Sequence, residues 1–265
     1  MFIHDTLLNR FKRGCQTMAY PQGPPPPLPD RHGGALQLDA AKCADACTAC
    51  VPLCPTEAIT RPPGKPAVLD LGRCVFCAAC VEICPHDAIT QTGDYRMAVR
   101  RRDDLQLGEP GHEQLRLAAA LDRKLLKLFG RSLRLRQVSA GGCNACEADT
   151  NVLGTIGWDL GRFGIQFVAS PRHADGLLIT GPVTKGMELA LKKTYAAVPD
   201  PKIVIAVGAC AIAGGPFVGH PQGNDGAEGI VPVDLFIPGC PPHPLTILDG
   251  LLRMLDRLDG GERKC

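Results

Sequence analysis

The sequence predicts two folded units in series: a small α+β module organised by cysteine, then an α/β doubly wound parallel sheet. Three observations predict it. Between Cys43 and Pro85, eight cysteines fall into two similar runs, CADACTACVPLCP and CVFCAACVEICP, each closed by Cys-Pro. From Leu133 onward, short apolar runs alternate with helical patterns, as expected when helices cover both faces of a parallel sheet. Cys143, Cys146, Cys210 and Cys240 each follow a predicted strand, and in such sheets the loops at the carboxyl ends of the strands carry the site.

The elements follow in chain order. Residues 1 to about 20 carry an amphipathic segment, with Phe2, Ile3, Leu7, Leu8 and Phe11 beside Arg10, Lys12 and Arg13. It is either a helix docked on its own domain or a foot on a partner or membrane surface. Pro24 to Pro29 must be extended and cannot sit in a central strand, so it reads as a strap or spacer. Thr90 to Val99 reads as a closing strand and turn. From Arg100 to Arg136, ten Lys/Arg stand against five Asp/Glu. Within that stretch, His112 to Phe129 has helical period, with Leu115, Ala118, Leu121, Leu125 and Phe129 on one face. Its basic side suits either a solvated linker or a patch for an acidic surface. Strands are expected at Leu133 to Val138, Ile165 to Ala169, Gly176 to Thr180, Ile203 to Val207 and Val233 to Ile237, and helices near Thr184 to Ala197 and Leu245 to Leu258. The expected division is residues 1–105, a basic helical linker 106–132, and 133–265 in a flavodoxin-like doubly wound fold.

Composition bounds the class. A chain of 265 residues with balanced charge can bury two modest cores and has no disordered character. The net charge of +2 says little about partners, and no nucleic acid is expected among them. Fourteen cysteines would suggest disulfides in a secreted protein. The N-terminus, however, lacks a signal peptide's apolar core, and the cysteines fall in cluster spacings, so a reducing cytoplasm is expected. The longest apolar stretch, Ile203 to Val218, is broken by Gly208, Gly214, Gly215 and Pro216. It falls short of the roughly 20 residues needed to cross a bilayer, so no transmembrane helix is expected.

The cysteine spacing specifies the chemistry. C-x2-C-x2-C-x3-C-P places three thiolates around one corner of an iron-sulfide cube, while the fourth, held extended by the following proline, reaches the other cube. Two such runs make a two-cluster ferredoxin module. Cys43, Cys47, Cys50 and Cys84 are expected to hold one [4Fe-4S] cluster, and Cys74, Cys77, Cys80 and Cys54 the second. Structural zinc, which takes four ligands from two separated pairs, fits this duplicated pattern poorly. The first run departs from the spacing, with three residues between Cys43 and Cys47. That extra residue could bulge out of the loop or leave the first cluster distorted, oxygen-labile or three-iron. Cys143, Cys146, Cys210 and Cys240 converge on one sheet edge as a third cubane site, with the turns GACAIAGG and PGCPPHP bringing backbone close to an inorganic core. Cys15 and Cys265 match no run.

These residues carry a family resemblance. GGCNACEAD, SPRHADGLLITGPVT, IVIAVGACAIAGG and IVPVDLFIPGCPP, within Leu133 to about Leu258, resemble the small subunit of formate hydrogenlyase-type, membrane-bound (group 4) nickel-iron hydrogenases and its relative, the corresponding iron-sulfur subunit of NADH-quinone oxidoreductase. Residues 1 to about 105 resemble the separate ferredoxin-type subunit of the same complexes, so the chain looks like a fusion of the two. The resemblance implies that Cys143, Cys146, Cys210 and Cys240 hold the cluster closest to the large subunit's active site. It also implies a nickel-iron large subunit, integral membrane subunits and a low-potential donor such as formate dehydrogenase or ferredoxin as partners. The chain would then lie on the cytoplasmic face of the inner membrane through those partners. The two residues between Cys143 and Cys146, and the GPVT segment, are nearer the hydrogenase form than the quinone-reducing form. Glu147 matches an acidic position of the family, which the resemblance implies would help proton traffic or bind the partner, although an exposed acid would be an equally simple reading. Arg172 and His173 are expected at the same edge without a catalytic role.

No flavin, nucleotide or molybdopterin fingerprint is found, and the Gly-rich turns lack the G-x-G-x-x-G order. The expected function is electron transfer through three [4Fe-4S] clusters, with no catalytic residue on this chain. A relay toward quinone in a complex I-like enzyme is the alternative. A free ferredoxin-like carrier would leave the doubly wound domain unexplained.

Overall fold

The computed structural model describes residues 2–43, 47–108 and 114–258, with side chains from Asp5 onward. Helix α1 spans Phe2–Arg13 and leaves Leu7, Leu8 and Phe11 exposed, Phe11 at 85%. Those three side chains are not docked on the protein's own core. The following segment runs along the larger unit: Arg162 donates to the carbonyls of Met18 and Tyr20, and Tyr20 donates to the buried carboxylate of Asp249 at 2.8 Å. The proline run that follows carries no helix or strand, as a strap requires.

The cysteine-rich half has two small antiparallel sheets. Strand β1 (Leu36–Leu38) pairs with β4 (Ile89–Gln91); β2 (Ile59–Thr60), β3 (Val68–Asp70) and β5 (Gln106–Leu107) form the other sheet in that order. Helix α2 (Ala79–Ile83) is a single short turn ahead of β4. The expected closing strand over Thr90 to Val99 is shorter: pairing stops at Gln91, and Val99 makes one antiparallel bridge to Phe236 instead.

The expected helix from His112 to Phe129 is corrected to α3, Arg123–Phe129. His112 itself lies outside the described residues, and residues 114–122 are not helical. The backbone explains why. Ala118 N–H donates to Ala98 and Leu121 N–H to Met254, so neither amide is available to a helical turn. Asp122 then starts the helix, its carboxylate accepting from Lys124 and Leu125 N–H. Ala118 and Leu121 are buried all the same, because the extended segment is stitched to the larger unit.

From Leu133 the chain builds the predicted sheet. Strands β6 (Leu133–Ser139), β7 (Ile165–Phe167), β8 (Gly176–Thr180), β9 (Ile203–Val207) and β10 (Leu235–Ile237) are all parallel, in the order β10-β9-β8-β6-β7. Counted from β6 this is the 2-1-3-4-5 order of a doubly wound, flavodoxin-like sheet. Helices α4 (Ala145–Val152), α5 (Lys185–Ala197), α6 (Ala209–Ala213) and α7 (Pro244–Met254) complete it; α4 and α6 have no counterpart among the sequence expectations. Every residue of β8, β9 and β10 is buried, as parallel strands covered on both faces require.

The two halves share a core. Leu36, Leu69, Leu71 and Leu105 of the small module pack in one cluster with Ala206, Ile212 and Phe236 of the sheet. Arg102 adds a bidentate pair to Asp70 at 2.8 and 2.6 Å, beside Ile212. Burying a side chain the size of Phe236, which is 1% exposed, contributes about 1.5–3 kcal/mol.

Candidate metal centres

In the small module the structure gathers two cysteine tetrads. Cys43, Cys47, Cys50 and Cys84 line one pocket with Leu38 and Ile89; Cys54, Cys74, Cys77 and Cys80 line the other with Ile59 and Leu69. The last cysteine of each run thus sits with the first three of the other. The local cause is a repeat, CPTEAIT and CPHDAIT. In each copy the alanine N–H donates back to the final cysteine, Ala58 to Cys54 Sγ at 3.2 Å and Ala88 to Cys84 Sγ at 3.3 Å, and the chain then enters β2 or β4. Burial would raise Cys84, but the N–H groups of His86, Ala88 and Ile89 outweigh it and hold the thiol below its ordinary value.

Left-handed backbone shapes the second run. Phe76 has φ 57° and Ala78 φ 63°, a costly conformation for residues with a side chain. It aims Phe76 N–H at Cys74 Sγ, 3.2 Å away, and starts α2 so that Cys80 turns inward. Burial, followed by the neighbouring sulfurs, pushes Cys74 up to about 12 and Cys80 up to about 11. Metal ligation needs thiolates, so a bound metal would have to displace these protons. A four-sulfur set fits that demand.

The third tetrad forms at the carboxyl edge of the large sheet. β6 leads into Gly141 and Gly142, and the latter packs directly on Gly181 after β8, where a Cβ on Gly181 would meet Gly142 N at 2.5 Å. This is the point where strand order reverses, with β7 on one side of β6 and β8 on the other. Asn144, at φ 69°, then starts α4 as Ala78 starts α2, so Cys143 precedes the helix and Cys146 lies in its first turn. Cys210 is carried by α6 after β9, and Cys240 follows β10. The four sulfurs interact: burial first, then Cys210, Glu147, Cys240 and Cys143, push Cys146 up to about 12, and burial with Cys240 and Cys143 pushes Cys210 up to about 11. Cys143 and Cys240 are exposed, so this tetrad opens on the surface.

Two expectations at this edge need correction. Glu147 is not an exposed acid but 6% exposed, its Oε1 accepting from Ser139 and Thr180 hydroxyls at 2.6 Å each. Burial pushes its carboxyl up, yet the two hydroxyls hold it below the usual carboxylate range. Thr180→Val keeps the shape and removes one donor from a buried anion, so unfolding stability should fall by about 2 kcal/mol; an anaerobic urea titration that leaves the midpoint unmoved would contradict this network. Arg172 and His173 lie in a 3-10 turn before β8, at its amino end, and so not at the cysteine edge.

Sequence reasoning also passed over Arg61, whose Nη1 donates to Cys43 Sγ at 3.2 Å and Cys47 O at 2.8 Å, and over Gly208 and Gly215. A Cβ on these two glycines would meet Cys146 Sγ at 2.5 Å and Cys210 Sγ at 2.9 Å. Only their Gly-rich setting signalled them. Cys15 belongs to no tetrad, and Cys265 lies outside the described residues.

Residues 42–89 match the 4Fe-4S dicluster domain family, so the chain carries an iron-sulfur module of that class. Residues 143–254 match the family described as NADH ubiquinone oxidoreductase, 20 Kd subunit. The probable membrane-bound hydrogenase subunit mbhJ of Pyrococcus furiosus is 46% identical over 51% of this chain and 81% of its own length. Formate hydrogenlyase subunit 7 of Escherichia coli strain K12 is 43% identical over 53% of this chain, a match spanning 55% of that protein. Among solved structures, a chain of the archaeal membrane-bound sulfane sulfur reductase is 33% identical, with a TM-score of 0.45 over 54% of this chain and 78% of that one. The chain belongs to the NADH ubiquinone oxidoreductase 20 Kd subunit family and carries a 4Fe-4S dicluster domain in addition. No helix among the described residues is long and apolar enough to cross a membrane.

Proposed function

We propose that this chain is the electron-transfer subunit of a membrane-associated hydrogenase complex, relaying electrons through three [4Fe-4S] clusters to or from a nickel-iron large subunit that reduces protons to hydrogen. The supporting observation is the surface-opening third tetrad, with hydrogenase-like spacing between Cys143 and Cys146, packed through one shared core onto a module with two more tetrads. Cys43, Cys47, Cys50 and Cys84 are the ligands of the first site, Cys54, Cys74, Cys77 and Cys80 of the second, and Cys143, Cys146, Cys210 and Cys240 of the third. The bound clusters supply reversible one-electron transfer and no bond chemistry of their own.

The chain's own residues set the order of the sites. Cys80 of the second set interacts with Cys50 of the first. Helix α6 carries Cys210 toward the third set, while its Ile212 lies against Gly72, two residues before Cys74, where an added Cβ would meet Ile212 Cγ2 at 2.9 Å. The second site is thus the middle one. The first unit extends through β5 at Gln106–Leu107, which pairs with β3, beyond the expected end at residue 105; the second begins with β6 at Leu133, and the residues between them make the join. Cys143 and Cys240 stand where a large subunit would cover them and exclude water. Attachment to the cytoplasmic face of the inner membrane runs through partner subunits, with formate dehydrogenase or a ferredoxin as donor class.

The test is assembly. Anaerobically purified chain should hold about twelve irons and twelve sulfides, accept electrons from a low-potential dye and evolve no hydrogen. Hydrogen evolution should appear only on co-assembly with a nickel-containing large subunit and membrane subunits. A nickel-free partner and quinone reduction would select the complex I-like relay instead, which the family match to a quinone oxidoreductase subunit keeps as the second reading. Zinc in place of iron would overturn both.

A further inference from the structure

The two cysteine runs are close copies, but the structure treats them differently at one position. After CPTEAIT comes Arg61; after CPHDAIT comes Gln91. Arg61 turns toward its pocket, a single guanidinium nitrogen donating to Cys43 Sγ and Cys47 O. It therefore ties together the two ends of the Cys43-to-Cys47 segment, the one that carries an extra residue. Gln91 turns away and lies against Gly33. The cation and the neutral amide occupy equivalent positions in the repeat, so the duplicated sites differ by one charge aimed at a ligand sulfur.

We propose that Arg61 is the positioning and potential-setting residue of the first site: it clamps the expanded Cys43-to-Cys47 loop and makes that cluster the more easily reduced of the two in the module. A charge-assisted hydrogen bond to a thiolate is roughly twice as strong as a neutral one. It strengthens further when the core gains an electron, because reduction raises negative charge on the sulfurs, and hydrogen bonds and net charge at the sulfurs are what tune such potentials. The inference rests on the assignment of the first cluster to Cys43, Cys47, Cys50 and Cys84.

The experiment is a redox titration of the full chain, anaerobically prepared and followed by paramagnetic resonance, with iron counted. Cys84→Ser identifies the first-site signal and should remove the higher-potential member of the module's pair. Arg61→Gln should lower that potential alone, Arg61→Lys should keep most of it, and Gln91→Ala should move neither. Loss of about four irons in Arg61→Gln but not in Arg61→Lys would uphold the clamp. Full iron with unmoved potentials in Arg61→Gln would overturn the inference while leaving the three-cluster reading intact. If both Arg61 variants lose iron, the wild-type titration decides: removal of the lower-potential signal by Cys84→Ser overturns the inference. Wild-type protein without a first cluster overturns it together with the reading beneath it.

Discussion

Cys240→Ser should abolish the third cluster and stop hydrogen turnover in the assembled complex, while the two clusters of the small module keep their signals. Iron should fall by about four per chain. The fold should survive, because Cys240 is exposed at the end of β10 and a serine there disturbs no packing. What changes is the donor: a hydroxyl stays protonated where a thiolate is needed. Cys265→Ser, in a residue that belongs to no tetrad, should leave cluster content and turnover unchanged. Equal behaviour of the two variants, read by iron analysis and by low-temperature resonance spectra, would remove Cys240 from the ligand set.

Gly208→Ala should be nearly as damaging, although it changes no ligand. Gly208 sits at φ 90° and ψ 154°, a backbone region that side chains essentially do not adopt. It cannot relax easily, since its N–H donates to Ile237 and the next N–H to Gly239, at 2.9 and 2.8 Å. A methyl group would lie 2.5 Å from Cys146 Sγ. Either α6 shifts, carrying Cys210 away, or Cys146 leaves the tetrad. The expected result is loss of the third-site iron with the small module intact. A Gly208→Ala chain with full iron and an unchanged third-site spectrum would show that the loop gives way at no cost.

How much of this was legible in the sequence depends on the range over which each feature is decided. The two runs could be read directly because a cubane corner takes three thiolates from one short loop, which makes ligand spacing a local property. The crossing of Cys54 and Cys84 came from the same local rule, through the extended Cys-Pro step. Strand and helix alternation after Leu133 was legible for a similar reason: a parallel strand buried on both faces writes itself as a continuous apolar run. Once those strands were placed, Cys143, Cys210 and Cys240 could only lie at one edge.

Other features were decided by partners far away in the chain. The helical period over His112 to Phe129 misled because apolar spacing describes which side chains become buried, not which carbonyl each amide meets; Ala98 and Met254 took the amides of Ala118 and Leu121. Glu147 became a buried anion because Ser139 and Thr180, from two neighbouring strands, both aim hydroxyls at it. Arg61 reads in sequence as one basic residue among twenty-nine, and only folding of the repeat places it on Cys43. The sequence by itself thus determined the cysteine sets and the doubly wound sheet, because short-range spacing encodes both. Only the tertiary structure decided that the two units share a core through Phe236 and Ile212, where the third tetrad opens, and which charge touches which sulfur. Each of those is a contact between residues that covalent geometry leaves independent until packing brings them together.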